Sequence, residues 1–184
     1  MTYLILTLAV VARFIPHPAN FSPVYGALLF GGAYLRKRDS IWFPLCLLAL
    51  SDVVLNRFVY HVGIGVGWTE GVQLAAFAAV ALIGWSLRQK LTARRWVTAV
   101  LAGPTVFFLI SNFAVWLGFR MYPASWTGLV GCYVAGLPFY GSTLVSGVLA
   151  SALLFGGYEL YRRRAHARQL DQPLVESGRW GTDD

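Results

Sequence analysis

Residues 96–118 read WVTAVLAGPTVFFLISNFAVWLG, an apolar run without a charged side chain from end to end. Arg94 and Arg95 precede it and Arg120 follows it. A bilayer core about 30 Å thick needs about 20 residues of helix to cross it. The run meets that length, carries its charges only beyond its ends, and reads as a transmembrane helix.

Similar runs lie on either side, at residues 1–15, 22–35, 41–54, 69–87 and 141–161. The first three are short and need neighbouring residues to cross fully. No positive residue precedes the first run, and Arg13-Phe14-Ile15-Pro16 is a poor small-residue cleavage site, so a tilted or partly embedded span is expected there rather than a signal peptide. Composition agrees with the segment reading. Of 184 residues, 57% are hydrophobic and only 12% charged, with mean hydropathy +0.59. A soluble domain carries about 25% charged residues. The expected fold is therefore an all-α membrane protein of about six transmembrane helices, with residues 1–164 as its one domain.

The connections carry their own signals. Pro16-His17-Pro18-Ala19-Asn20-Phe21-Ser22-Pro23 is too rich in proline for regular helix. Gly63-Ile64-Gly65-Val66-Gly67 reads as a flexible link; it does not fit a nucleotide loop, because no strand precedes it. Residues 126–140 contain Gly128, Gly131, Gly136 and Pro138. Each glycine costs a helix about 1 kcal/mol relative to alanine. A short helix or re-entrant segment is expected there, before the last span and packed against it. Residues 165–184 are polar, with Pro173, Gly178 and Gly181, and read as a disordered cytoplasmic tail.

Charge orients the molecule. Lys and Arg collect in cytoplasmic loops. Arg36, Lys37 and Arg38 fall after the second run, Arg88, Lys90, Arg94 and Arg95 after the fourth, and Arg162, Arg163, Arg164, Arg168 and Arg179 after the sixth. Of the 15 basic residues only Arg13, Arg57 and Arg120 remain, one near each opposite connection. Both termini are expected inside. The net charge of +7 then reflects topology and anionic lipid head groups. No soluble basic element exists to fit a nucleic acid groove.

That orientation gathers the costly residues on the outer side. Polar groups at membrane depth usually face a cavity or one another. Arg13, His17, Asn20, Ser51, Asp52, Asn56, Arg57, His61, Glu70, Asn112 and Arg120 stand there, among Tyr60, Trp68, Trp116, Tyr122, Trp126, Tyr133 and Tyr140. Aromatic faces with a few polar anchors suit a small ring-containing ligand. Plainer roles exist for each. Asp52 could pair with Arg13 or Arg57 at the interface, and Ser51 could bond a carbonyl of its own helix. Glu70 could serve its helix start, and Asn112 an interhelical bond. His17 lacks a second His at ligand spacing, so no metal is expected. No G-x-S-x-G, H-E-x-x-H or paired-acid motif appears, so neither catalysis nor a cofactor is expected. Cys46 and Cys132 are expected as free thiols.

Two stretches look alike, Leu28-Leu29-Phe30-Gly31-Gly32-Ala33-Tyr34 and Leu153-Leu154-Phe155-Gly156-Gly157-Tyr158. An aromatic belt followed by basic residues explains both without duplication.

A family resemblance rests on several of these segments. Arg13 through Val24, Leu29 through Tyr34, Leu50-Ser51-Asp52, Ser111-Asn112-Phe113-Ala114-Val115-Trp116, Tyr122-Pro123, Gly128-Leu129, Cys132-Tyr133 and Pro138-Phe139 carry it. On these the chain resembles an uncharacterised family of small bacterial inner-membrane proteins. That family is similar in size and layout to the substrate-binding S subunits of energy-coupling-factor (ECF) transporters. The resemblance implies an S-subunit-like bundle in the bacterial inner membrane. It also implies a vitamin-like small molecule bound near the outer face, and a transmembrane coupling subunit with ATPases as partner. One departure is visible: where S subunits dock through an Ala-x-x-x-Ala patch on helix 1, Ala9 is followed four residues on by Arg13. The expected substrate-binding residues are His17, Asn20, Asp52, Arg57, Asn112, Trp116, Tyr122, Trp126 and Tyr133, with loops 17–23 and 59–68 closing over the ligand. The alternative is a non-transporting structural or assembly protein whose polar residues serve packing.

Overall fold

The computed structural model describes residues 1–15, 21–59, 61 and 67–170, the side chains of 169 and 170 excepted. His17, Asn20 and the glycine-rich link at 63–66 lie outside that set. The described residues form helices joined by short turns. Helix α1 (Thr2–Val11) tightens into a 3-10 turn at Ala12–Phe14. α2 is Val24–Tyr34. α3 (Asp39–Val54) continues as a π-helical turn, Leu55–Val59. α4 (Trp68–Trp85), α5 (Ala93–Gly118) and α6 (Trp126–Leu170) follow.

Length divides these helices into two kinds. α3 with its π turn, α4, α5 and α6 are each long and apolar enough to cross a membrane, and the chain is a membrane protein. α1 and α2 have 10 and 11 residues. At 1.5 Å per residue they reach about 15–17 Å, roughly half a bilayer core. Among the described residues, four helices are thus long and apolar enough to span, where the sequence suggests about six crossings.

Successive helices run in opposite directions. At one end, the Tyr3 hydroxyl donates to Asp39 Oδ2 at 2.6 Å, Trp85 Nε1 to Ser40 Oγ at 2.8 Å, and the Tyr34 hydroxyl to Glu159 Oε1 at 2.6 Å. These contacts gather the starts of α1 and α3, the ends of α2 and α4, and the later part of α6. The arginine clusters belong to this basic end. At the opposite end Arg13 meets Asp52, and the Trp68 ring lies over Gly118.

α2 is the hub: it packs against all five other helices, and residues 24–32 are all buried. Its glycines make this possible. A Cβ on Gly32 would lie 2.2 Å from the Ala81 carbonyl oxygen in α4, and one on Gly84 would lie 2.5 Å from the Leu29 oxygen. On another face of α2, a Cβ on Gly26 would meet the Ser151 backbone nitrogen in α6 at 2.7 Å. Gly31 faces Leu6 of α1. Small residues of this kind let helices associate in lipid, where no hydrophobic force drives one apolar helix against another.

Three expectations are corrected. Residues 126–140 are not a separate short or re-entrant piece: α6 is continuous for 45 residues, about 68 Å at helical rise. Each glycine there earns its place by contact with the α5 side. A Cβ on Gly128 would sit 2.0 Å from the Pro123 oxygen, and one on Gly136 2.6 Å from Asn112 Oδ1, while Gly131 faces the Tyr122 ring. Packing outweighs the loss of helix propensity, and Pro138 is tolerated within the helix. Secondly, the last helix runs past residue 164, the expected end of the membrane domain, through Leu170; residues 171–184 lie outside the described residues. Thirdly, the two look-alike stretches pack on each other. Phe30 lies 5.6 Å from Phe155 and 5.4 Å from Tyr158, and Tyr34 lies 4.5 Å from Tyr158, ring centre to ring centre. Phe30 and Phe155 are buried, so these rings form core rather than an interfacial belt.

Gly84→Val should destabilise the protein by about 1–3 kcal/mol, because backbone atoms cannot move aside for the new side chain. Gly156→Val meets open space and should stay within about 0.5 kcal/mol of wild type. Denaturant unfolding in detergent compares them; equal effects would refute the close-packed contact.

Candidate functional site

Two groups of side chains occupy the half of the bundle opposite the basic end. The first is ionic. Arg13 projects from the 3-10 turn after α1, Ser51 and Asp52 end α3, and Gln73 lies near the start of α4. Arg13 Nη1 donates to Ser51 Oγ, and Nη2 pairs with Asp52 Oδ1 at 2.7 Å. Gln73 Nε2 donates to Asp52 Oδ2 at 3.1 Å. Ser51 also donates to the Leu48 carbonyl of its own helix. The side chains of Arg13 and Asp52 are 15% and 26% exposed. Both carboxylate oxygens of Asp52 are thus occupied by the protein itself. The network ties α1, α3 and α4 together through charge-assisted hydrogen bonds.

The second group surrounds a cavity of about 160 Å³ between α5 and α6, lined by Phe107, Phe108, Ser111, Asn112, Gly136, Phe139, Tyr140 and Thr143. Local sequence explains its shape. Gly136 leaves room for the Asn112 carboxamide, whose Nδ2 donates to the Phe108 carbonyl at 2.9 Å while its oxygen faces α6. The Tyr140 hydroxyl shares a 2.8 Å hydrogen bond with Thr105 Oγ1. Phe108 packs on Tyr140, with ring centres 4.8 Å apart. The first turn of α2 backs the cavity: Tyr25 is hydrogen-bonded to Thr143 and packs edge-on against Phe107. Phe77 of α4 stacks on the same Phe107 ring. Among the described residues, no charged side chain lines this space. Aromatic faces and neutral hydrogen-bonding groups make it suited to an uncharged ring.

The expected site residues divide between these groups. Asp52 belongs to the ionic clamp, paired with Arg13 rather than Arg57. Arg57 is exposed on the π-helical turn and enters no ion pair among the described residues. Asn112 lines the cavity. Tyr133 sits beside it, its ring 5.6 Å from Phe108 and its hydroxyl donating to the Leu109 carbonyl. Trp116 donates its indole N–H to the Pro123 carbonyl at 2.9 Å, and with Tyr122 under Gly131 it shapes the α5–α6 connection. Trp126 is 82% exposed and contributes no enclosed surface. Glu70 accepts from the Gly67 N–H at 2.8 Å, closing the start of α4. Among the described residues, no three His, Cys, Asp or Glu side chains converge as a metal site would need.

Sequence reasoning missed Phe107, Phe108, Ser111, Phe139 and Thr143. The available signal was helical spacing: Phe107, Phe108, Ser111 and Asn112 recur at the i, i+3, i+4 positions of one face. So do Gly136, Phe139, Tyr140 and Thr143 on the facing helix, had residues 126–140 been read as part of α6.

The chain belongs to a family of unknown function, DUF6580, whose family model matches residues 1–170. No curated protein and no solved structure matches it.

The clamp predicts that Asp52→Ala lowers stability by about 2 kcal/mol, because Arg13 is left partly buried without its counter-charge. The double change Arg13→Met with Asp52→Leu should recover much of that loss. A double-mutant unfolding cycle with coupling below about 0.5 kcal/mol would show the pair to be idle.

Proposed function

We propose that this member of the family is the membrane-embedded substrate-binding component of a nutrient uptake system. In this reading the chain crosses the membrane six times, with both termini in the cytoplasm. The end opposite the arginine clusters then faces outward, following the positive-inside bias. The cavity between α5 and α6 is the observation that carries the proposal. Its volume, about 160 Å³, is below the roughly 300 Å³ of common ligand pockets, so the ligand is a single ring rather than a multi-ring vitamin. Its lining calls for a neutral aromatic or heterocyclic molecule. Phe108 and Tyr140 would supply stacking surface. Asn112 and Ser111 would supply hydrogen bonds. Release into the cell would be driven by a transmembrane coupling subunit with its ATPases, since this chain carries no phosphate loop.

A structural or assembly role is the second reading. The occupied carboxylate of Asp52 and the tethered indole of Trp116 favour it, because both groups already have partners within the chain.

Thermal-shift and native mass spectrometry of the detergent-purified protein against neutral single-ring nutrients separate the two. The uptake reading predicts a stabilising ligand whose affinity falls about fivefold or more in Asn112→Ala, one hydrogen bond's worth, and is unchanged in Trp126→Ala. Absence of any stabilising compound, or undiminished binding by Asn112→Ala, would favour the structural role.

A further inference from the structure

The turn between α4 and α5 carries charge that nothing in the hairpin neutralises. No acidic residue occurs between Glu70 and Glu159. Arg88, Lys90, Arg94 and Arg95 all lie at this turn, and the ion pairs among the described residues are at Arg13 and Arg162 instead. Beside the turn a groove of about 600 Å³ runs between the two helices. Its walls change character along their length. Ser86, Gln89, Arg94 and Arg95 stand at the turn, whereas Ile83 and Ala102 line the part further up the helices. From Arg95 to Ala102 the helix rises about 10 Å, so the polar and apolar parts are separated by about the depth from head group to upper acyl chain.

A further cation without an acidic partner lies beside the groove. Arg88 Nε and Nη2 are buried and have no hydrogen-bond partner. The guanidinium lies 5.7 Å from the ring centre of Trp85, which is itself a wall of the groove. Burial alone pulls this arginine below its ordinary pKa. Arg88 is itself partly exposed and is not part of the groove's wall, so it adds positive potential at the turn without defining the site. The start of α5 adds its own partial positive charge.

We propose that the groove holds one anionic phospholipid of the cytoplasmic leaflet. Its phosphate lies against Arg94, Arg95 and the turn, and an acyl chain lies between Ile83 and Ala102. This site is at the basic end and is independent of the cavity between α5 and α6. The occupant is a lipid rather than free phosphate because the groove continues into an apolar slot that a small anion leaves empty.

Native mass spectrometry of the full chain, titrated with phosphatidylglycerol or phosphatidylcholine, tests this. Wild type should bind one phosphatidylglycerol in preference to phosphatidylcholine. Arg94→Gln with Arg95→Gln should weaken that binding about tenfold or more, as two surface cations imply. Arg163→Gln with Arg164→Gln removes equal charge from the exposed end of α6 and should change it by less than about twofold. Ala102→Phe keeps every charge but fills the slot, and should also lose the lipid. Equal loss in both arginine pairs, equal binding of the two lipids, full binding by Ala102→Phe, or displacement by inorganic phosphate would each overturn the proposal.

Discussion

Backbone-to-backbone contact at the glycines of α2 is the constraint on which the rest of the structure depends. In lipid an apolar side chain gains nothing by leaving its surroundings for a neighbouring helix. Close approach then has to supply the attraction through dispersion and through carbonyl and Cα–H contacts. Gly32 and Gly84 bring α2 against α4, and Gly26 brings it against α6 beside Ser151. With α4 and α6 held on two faces of one short helix, α5 fits between them, where Leu29 and Val80 reach Gly103. α1 and α3 complete the surround through Leu6 and the Tyr3–Asp39 bond.

The brevity of α2 has consequences for function. It occupies the basic half of the bundle and stops near Tyr25, level with Gly147 and Pro104. Beyond that level, among the described residues, no central helix stands between α5 and α6 and the other spans. The aromatic and amide-lined cavity lies there, backed by Tyr25 and Phe107. The Arg13–Asp52–Gln73 clamp holds the neighbouring helices together at the same end. One short helix therefore both organises the core and leaves room for the proposed ligand.

How much of this was legible in the sequence follows from the kind of signal each feature leaves. The long apolar runs and the alternation of basic clusters are one-dimensional patterns, and they give a membrane protein with antiparallel neighbours. Asp52 and Asn112 stood out because polar groups at depth are expensive, though Asp52 proved to be satisfied by Arg13 and Gln73. The glycines of α6 misled, since helix propensity is a local quantity, whereas Gly128 and Gly136 are chosen for what approaches them from α5. The cavity's phenylalanines carried no signal of their own; in an apolar helix they look like any lipid-facing residue until the opposing helix is placed. Nothing local in the look-alike stretches of α2 and α6 shows that they touch, so as sequence they resemble separate interfacial belts.

The central claim is that α2 ends partway through the bundle and leaves an accessible space between α5 and α6 at the proposed outer end. Substituted-cysteine labelling with a membrane-impermeant maleimide tests it most directly, in a background where Cys46 and Cys132 are replaced by serine. Ser111→Cys should label in intact cells, while Ser151→Cys, packed against Gly26, should not. Labelling of Ser111→Cys only after the membrane is permeabilised, or not at all, would contradict the account.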